Sequence, residues 1–209
     1  MPLPGDANMQ ALLLSVDRAS TIIGKVFAWC IVLLTLQVTY EVTVRYAFAS
    51  PTAWGYDVSY MLYGALFMMA GAYTLARNGH VRGDFLYRQW PVRRQAAFDL
   101  VLYFVFFLPG MIALIVAGWS FFIQSFAQNE RSAFSPTGPI IWPFKFLIPL
   151  VGVLLLLQGA VEVARCWVAL RTGVWPDRLS DVEEMEVAIL EKAAAERGEP
   201  PPNISRPSA

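Results

Sequence analysis

The side chains best suited to chemistry are concentrated in one polar stretch near the middle of the chain, from Arg77 to Arg94. This stretch holds five of the sixteen Lys and Arg residues and the only histidine, His80, with Arg82 and Asp84 close behind it. Arginine binds phosphate and carboxylate groups, and histidine changes its charge near neutral pH. The stretch could therefore bind an anion or respond to pH, depending on the elements that hold it.

Most catalytic and cofactor chemistry is excluded by what the sequence lacks. A single histidine cannot supply two axial ligands to a haem between helices, nor a histidine-rich metal site. The sequence has neither a Gly-x-Ser-x-Gly motif nor a P-loop. Cys30 and Cys166 fit neither a disulfide framework nor a metal site, and we interpret them as buried free thiols. We predict no catalytic residue, no bound cofactor and no metal.

Long apolar segments on both sides of the polar stretch must position it. Hydrophobic residues make up 56% of the chain and charged residues 15%, with a mean hydropathy of +0.48. Soluble domains contain about 25% charged residues, and an uncharged run of about 20 residues is long enough to span a bilayer. We predict an all-α integral membrane protein with four transmembrane helices, at about residues 21–48, 54–77, 95–127 and 140–167.

The segments outside the four spans differ in character. Residues 1–19 place apolar side chains at helical spacing from Met9 onward, which predicts an amphipathic lead that lies on the membrane surface and is retained. Residues 20–172 form the predicted membrane domain. Residues 173–209 form an acidic tail with eight acidic and four basic residues, predicted to be cytoplasmic. A capping box beginning at Ser180 predicts a soluble helix of about 17 residues in this tail.

Charged residues near the ends of the spans occur in pairs. Glu41 and Arg45 lie four residues apart at the end of the first span, and Glu162 and Arg165 lie three apart in the fourth. These spacings put each pair on one helix face, where an ion pair lowers the cost of placing charge in a membrane. Asp57 opens the second span, where the helix dipole favours a carboxylate.

Two spans have features that affect helix packing. Gly64 and Gly71 make the second span rich in small residues, which lets another helix approach closely, either from a partner subunit or from this chain. The third span has thirty uncharged residues, 100–129. As a helix this run would be about 45 Å long, so we expect it to tilt, to kink at Pro109-Gly110 or to protrude from the membrane. Asp99 lies about one turn inside the Arg-rich end of this span.

The distribution of positive charge predicts the orientation of the chain. Ten Lys and Arg residues flank the spans at the end that holds both termini and the Arg-rich stretch, against three at the other end, Arg45, Arg131 and Lys145. Positive residues are retained on the cytoplasmic side, so we predict that both termini and the Arg-rich stretch are cytoplasmic. The arginines are then foremost an orientation signal. Contact with membrane lipid headgroups stays open, and we expect no nucleic-acid partner.

Several motifs resemble those of one known family. They are Glu41-x-x-x-Arg45-Tyr46 at the end of the first span, Trp54 at the start of the second, and Gly79-His80-Val81-Arg82-Gly83-Asp84 after it. Together with Pro91, Arg93 and Asp99, they resemble the small, Q-type membrane subunit of tripartite ATP-independent periplasmic (TRAP) transporters. The resemblance covers roughly residues 15–170.

The resemblance implies a multi-pass subunit of the bacterial inner membrane with two protein partners. In such systems a periplasmic (P-type) binding protein captures a small organic substrate, usually a carboxylate. A large (M-type) elevator-type permease subunit carries the substrate and sodium sites, and the small subunit braces it. The uncharged span centres agree with this role, because translocation sites usually place polar or charged groups at midmembrane. A self-standing carrier or channel and a non-catalytic membrane anchor subunit of another complex stay open as alternatives.

Residue roles follow from the resemblance and the predicted topology. We expect His80, Arg82 and Asp84 to fix the cytoplasmic loop. We expect Glu130 and Arg131, in the outer loop, to contribute to docking of the binding protein, although a plain connecting loop is the alternative. The candidates for contact with the large subunit are Glu41, Arg45, Trp54, Asp57, Gly64, Gly71 and Asp99.

Overall fold

The computed structural model describes residues 4–77, 87, 89–135, 138–176, 190, 192–194 and 197. The helices are α1 (Pro4–Ala47), α2 (Gly55–Ala76), α3 (Val92–Leu102), a π-helical segment (Tyr103–Phe107), α4 (Leu108–Ala127) and α5 (Trp142–Thr172). The described residues contain no β-strand, only an isolated antiparallel bridge between Arg131 and Ile140. The prediction of an all-α fold is confirmed.

Four helical segments are long and apolar enough to cross a membrane. They are Met9–Ala47, Gly55–Ala76, Val92–Ala127 and Trp142–Thr172, the third comprising α3, the π-helical segment and α4. Large apolar side chains point outward along them; Phe106, for example, is 69% exposed. A helix that is apolar all round belongs in lipid or against a partner rather than in water. The prediction of a four-span integral membrane protein is confirmed.

The first helix continues without a break through the segment predicted as a surface lead. α1 has 44 residues, which corresponds to about 66 Å, longer than a bilayer with its headgroups. Leu12 is exposed, whereas Leu13 and Asp17, 5% and 0% exposed, are buried. The last turns of the predicted lead are therefore packed within the protein.

The regular α-helix of the third span is interrupted about one turn before Pro109, close to the kink predicted at Pro109-Gly110. Pro109 has no N–H to donate to the carbonyl of Val105, and its ring crowds that carbonyl. The five residues Tyr103–Phe107 form a π-helical segment, in which the N–H of Leu108 donates to the carbonyl oxygen of Tyr103. A π-helical segment within an α-helix accommodates such a local disruption.

The fourth span, α5, contacts α1, α2, α3 and α4. Glycines allow the third span to approach it closely. A Cβ built on Gly118 would lie 2.9 Å from Ile148 Cγ2, one on Gly152 would lie 2.7 Å from Ile115 Cγ1, and one on Gly159 would lie 2.2 Å from Phe107 Cε1. Small residues at helix interfaces let backbones pack closely in lipid, so α5 is the helix that organises the bundle.

Candidate functional site

The predicted loop motif, His80, Arg82 and Asp84, lies outside the described residues. The described residues that follow it are bonded to α3. The hydroxyl of Tyr87 donates to Asp99 Oδ2 at 2.6 Å, and Gln95 Nε2 donates to the carbonyl oxygens of Tyr87 and Trp90 at 3.1 and 3.0 Å. Asp99, predicted one turn inside the Arg-rich end, is buried. The carboxylate therefore accepts a hydrogen bond from the end of the polar stretch.

The start of α3 also packs against the end of α5. Ala96, Cys166 and Ala169 form a buried cluster with each residue at most 1% exposed. Trp175, just beyond α5, donates from Nε1 to Gln95 Oε1 at 3.3 Å. At the Arg-rich end of the bundle, apolar packing and hydrogen bonds thus hold the start of α3 against the end of α5.

A buried polar group lies between α1 and α5. We call it the buried ion cluster, consisting of Asp17, Ser20, Gln158, Glu162 and Arg165. Asp17, Gln158 and Arg165 are 0% exposed. The Arg165 guanidinium pairs with Asp17 through Nη2 and with Glu162 through Nη1, the latter at 2.6 Å. Gln158 Nε2 donates to Asp17 Oδ1 at 2.7 Å, and Gln158 Oε1 accepts from Ser20 Oγ at 3.0 Å.

The sequence predicts part of this cluster and misses the rest. The pairing of Glu162 with Arg165 agrees with their spacing. Asp17 was missed as a partner, because residues 1–19 were interpreted as a surface segment. The spacing of the polar residues could have indicated this pairing. One face of α5 carries Gln158, Glu162 and Arg165 at i, i+4 and i+7. One face of α1 carries Asp17 and Ser20 at i and i+3. Two polar stripes in apolar helices predict that the stripes face each other.

A second polar network lies at the opposite end of the bundle, where α1 meets α2. Glu41 pairs with Arg45 at 2.7 Å and accepts hydrogen bonds from Thr52, through its hydroxyl and, at 3.3 Å, its backbone N–H. Gln37 Nε2 donates to the carbonyl oxygen of Gly55 at 3.0 Å. Glu41, with Arg45 as its ion-pair partner, thus fixes the turn between the first two spans. Contact of these two residues with the large subunit stays a prediction.

The loop between α4 and α5 is bonded to the start of α2. Asp57 is 0% exposed and accepts hydrogen bonds from the hydroxyls of Ser132 and Ser135, which lie more than seventy residues away in the chain. The Asp57 carboxylate therefore joins the two loops at this end of the bundle. The sequence predicted only that the helix dipole favours a carboxylate at Asp57. The spacing of residues along the chain does not indicate the two serine partners.

The two residues proposed to dock the binding protein have bonds inside this loop. Glu130 pairs with Lys145 near the start of α5, and the Lys145 ammonium holds the pKa of Glu130 below its ordinary value. The Lys145 ammonium also lies 3.8 Å from the centroid of the Phe121 ring. Arg131 Nη1 donates to the carbonyl oxygen of Gly138 at 3.3 Å. The loop is therefore held by charge pairing and hydrogen bonds.

The remaining candidates for subunit contact are divided between the surface and the interior. Trp54 is exposed and stacks on Tyr40 with ring centroids 6.2 Å apart. A Cβ on Gly64 would lie 2.6 Å from Phe144, and one on Gly71 would lie 3.7 Å from Leu155. Both glycines therefore pack against α5 within the chain, and contact with the large subunit stays a prediction for them.

Neither network has the composition of a metal centre. Among the described residues, no group of three or more His, Cys, Asp or Glu side chains could hold a metal ion. The ionisable groups of both networks accept and donate hydrogen bonds within the protein. What this arrangement can do is fix helices relative to one another.

Four apolar spans with mutually bonded polar groups near their ends define a multi-pass, all-α membrane protein. The sequence model of the family described as tripartite ATP-independent periplasmic transporters, DctQ component, matches residues 34–169, about two thirds of the chain. The chain belongs to this family and is a small membrane component of a TRAP transporter. The family resemblance drawn from the motifs is confirmed. A comparison with curated proteins found no match.

Proposed function

We propose that this chain braces the large, elevator-type M subunit during sodium-driven uptake of a small organic substrate, a carboxylate by class. One observation supports this role above the others. The central run of each span contains no charged residue, at residues 26–40, 58–76, 100–129 and 146–161, and the fully buried charges are bonded within the chain. A subunit that carried substrate or sodium would need polar groups at midmembrane. Rigid, uncharged span centres suit a fixed scaffold.

The proposal includes the position of the chain in its complex. The chain lies in the bacterial inner membrane with both termini in the cytoplasm. The exposed apolar surface of the spans is shared between lipid and the M-type subunit, and the loops between α1 and α2 and between α4 and α5 face the periplasmic P-type binding protein.

Reconstitution tests the bracing role. Liposomes would contain the small subunit alone, the large subunit alone or both, with the binding protein loaded with a radiolabelled carboxylate and an inward sodium gradient. We expect uptake only when both subunits are present, and loss of uptake when the sodium gradient is collapsed. Uptake by the small subunit alone would establish a self-standing carrier and refute the proposal. Equal uptake by the large subunit alone would remove the bracing role.

The cytoplasmic loop is proposed to fix the small subunit for assembly. Asp84→Ala is expected to lower co-purification of the large subunit severalfold, because an aspartate can order a loop through bonds to backbone N–H groups and arginines. Substrate capture by the binding protein should not change. The control is Lys25→Gln, which removes an exposed charge of α1 that is not among the candidates for contact with the large subunit. If the Asp84→Ala variant co-purified with the large subunit at the wild-type yield, the proposed role of the loop in assembly would be refuted.

Docking of the binding protein is proposed to use Glu130 and Arg131. Joint charge reversal, Glu130→Lys with Arg131→Glu, is expected to lower binding-protein-dependent uptake about tenfold, mainly through slower association. Reversal of Glu130 also breaks its pair with Lys145. Lys145→Met therefore serves as the control, because it breaks the same pair without adding a charge to the loop. Unchanged uptake after reversal would mean a plain connecting loop.

A further inference from the structure

One face of α2 carries a row of aromatic rings. Tyr56, Tyr60, Tyr63 and Phe67 lie at i, i+4, i+7 and i+11, which places them on the same side of the helix. Phe134, from the loop between α4 and α5, extends the row at the helix start, with its ring centroid 5.5 Å from that of Tyr56. Further along, Tyr63 stacks on Phe67 with centroids 6.4 Å apart. We call these five residues the aromatic face.

The aromatic face lies on the side of α2 that does not pack within the chain. The helix contacts α1 and α5, and its buried residues Ala65, Met69 and Ala72 lie on the opposite side from the rings. Tyr63 is 60% exposed and Phe67 is 71% exposed. These two rings are therefore covered either by lipid or by another protein.

The depth of Tyr63 distinguishes between these two coverings. α2 has 22 residues, about 33 Å, and therefore crosses a hydrocarbon core of about 30 Å with little tilt. Tyr63 lies about 12 Å from the helix start, and its ring stacks on Phe67, one turn deeper. Tyrosines that face lipid are concentrated at the level of the headgroups. The position of Tyr63 below that level favours a protein covering.

The Tyr63 hydroxyl also calls for a partner outside the chain. It has no hydrogen-bond partner among the described residues. A polar group that lacks a hydrogen bond is costly in hydrocarbon, and lipid tails offer no acceptor. A neighbouring membrane helix offers backbone carbonyl oxygens and polar side chains. Tyrosine is also enriched in protein interfaces, where its ring packs and its hydroxyl donates.

We propose that the aromatic face binds a transmembrane helix of the large M-type subunit, and that this helix accepts a hydrogen bond from the Tyr63 hydroxyl. The inference rests on the proposed bracing function and adds which face of the chain makes the contact. A second copy of this chain fits less well. Two Tyr63 hydroxyls that met across a symmetry axis would share one hydrogen bond and leave one donor unpaired.

Photocrosslinking in the membrane tests which molecule covers the aromatic face. The two subunits are co-expressed, and the photoreactive analogue p-benzoylphenylalanine replaces Phe67 or, as the control, Phe106, which is similarly exposed on the third span. We expect an adduct with the large subunit from position 67 and mainly lipid adducts from position 106. The masses of the adducts identify the large subunit, a second copy of this chain or lipid.

Substitutions test the contribution of the two rings. Tyr63→Phe removes only the hydroxyl and should lower co-purification of the large subunit about threefold, as expected for an average hydrogen bond between membrane helices. Phe67→Ala should lower it about tenfold, whereas Phe106→Ala should leave it unchanged. Thermal unfolding of the small subunit alone should be the same for all three variants, because none of these side chains is buried.

The outcomes separate this inference from the bracing function. If the wild-type subunits co-purify but position 67 yields only lipid adducts, or an adduct with a second copy, the aromatic face is refuted and bracing stands. Full co-purification with both Tyr63→Phe and Phe67→Ala would refute it as well. If the wild-type chain does not co-purify with the large subunit at all, the bracing function fails and this inference fails with it.

Discussion

At the scale of single residues, the position of Arg165 shows how this chain tolerates charge inside a membrane. The guanidinium is 0% exposed and bonds to carboxylates on both α1 and α5. An unpaired charge in such a place is very costly, whereas a bonded pair fixes geometry more than it adds stability. The buried ion cluster therefore serves to specify the register of α1 against α5.

Removing the central charge of the cluster should be severely destabilising. Arg165→Gln leaves Asp17 and Glu162 without their partner, and we expect the free energy of unfolding to fall by about 3–5 kcal/mol. Unfolding in mixed detergent micelles measures the difference. Lys25→Gln removes an exposed charge from α1 and should change stability by about 0.5 kcal/mol or less. Equal effects of the two changes would mean that the cluster does not fix the helices.

Residue partners were predictable where they lie on one helix and not where they lie on two. The pairs Glu41–Arg45 and Glu162–Arg165 follow from spacings of four and three and occur in the structure. The bonds of Asp57 to the distant serines depend on tertiary packing, which helical spacing does not contain.

At the scale of elements, the four spans were predictable because each needs only a long uncharged run. Their irregular features were not. A proline in a membrane helix signals a disturbance, but the choice between a kink and a π-helical segment depends on the neighbouring helix. Here Phe107, the last residue of the π-helical segment, lies against Gly159 of α5. The helical spacing predicted from Met9 onward continues into the first span as one helix, α1.

The contact between Phe107 and Gly159 gives a sharp test of helix packing. A Cβ on Gly159 would lie 2.2 Å from Phe107 Cε1, so Gly159→Ala must displace the ring and should destabilise by about 1–3 kcal/mol. Gly110→Ala is the matched control, since a Cβ there meets nothing within 4 Å. It should be neutral or stabilise by up to about 1 kcal/mol through helix propensity. Thermal unfolding in detergent compares them, and similar values would contradict the close approach.

At the scale of the whole molecule, the two ends of the bundle are stabilised differently. The end with the loops between α1 and α2 and between α4 and α5 has its charges bonded within the protein, as in the pairs of Glu41 and Glu130. At the other end, Arg93, Arg94 and Arg171 are exposed and take part in none of the ion pairs described above. Unpaired exposed arginine suits the cytoplasmic face, because such residues resist translocation.

Reporter fusions test this orientation. Fusions of a fluorescent protein that folds only in the cytoplasm are expected to fluoresce after Arg88 and after Pro176. Alkaline phosphatase, active only outside the cytoplasm, should be active after Ser50 and after Ser135. The physical reason is the excess of ten Lys and Arg residues over three. Arg131→Gln removes a charge from the poorer end and should leave all four signals unchanged. The reverse pattern, or both signals at one site, would show that the charge bias does not orient the chain and would place the proposed docking loop on the wrong side of the membrane.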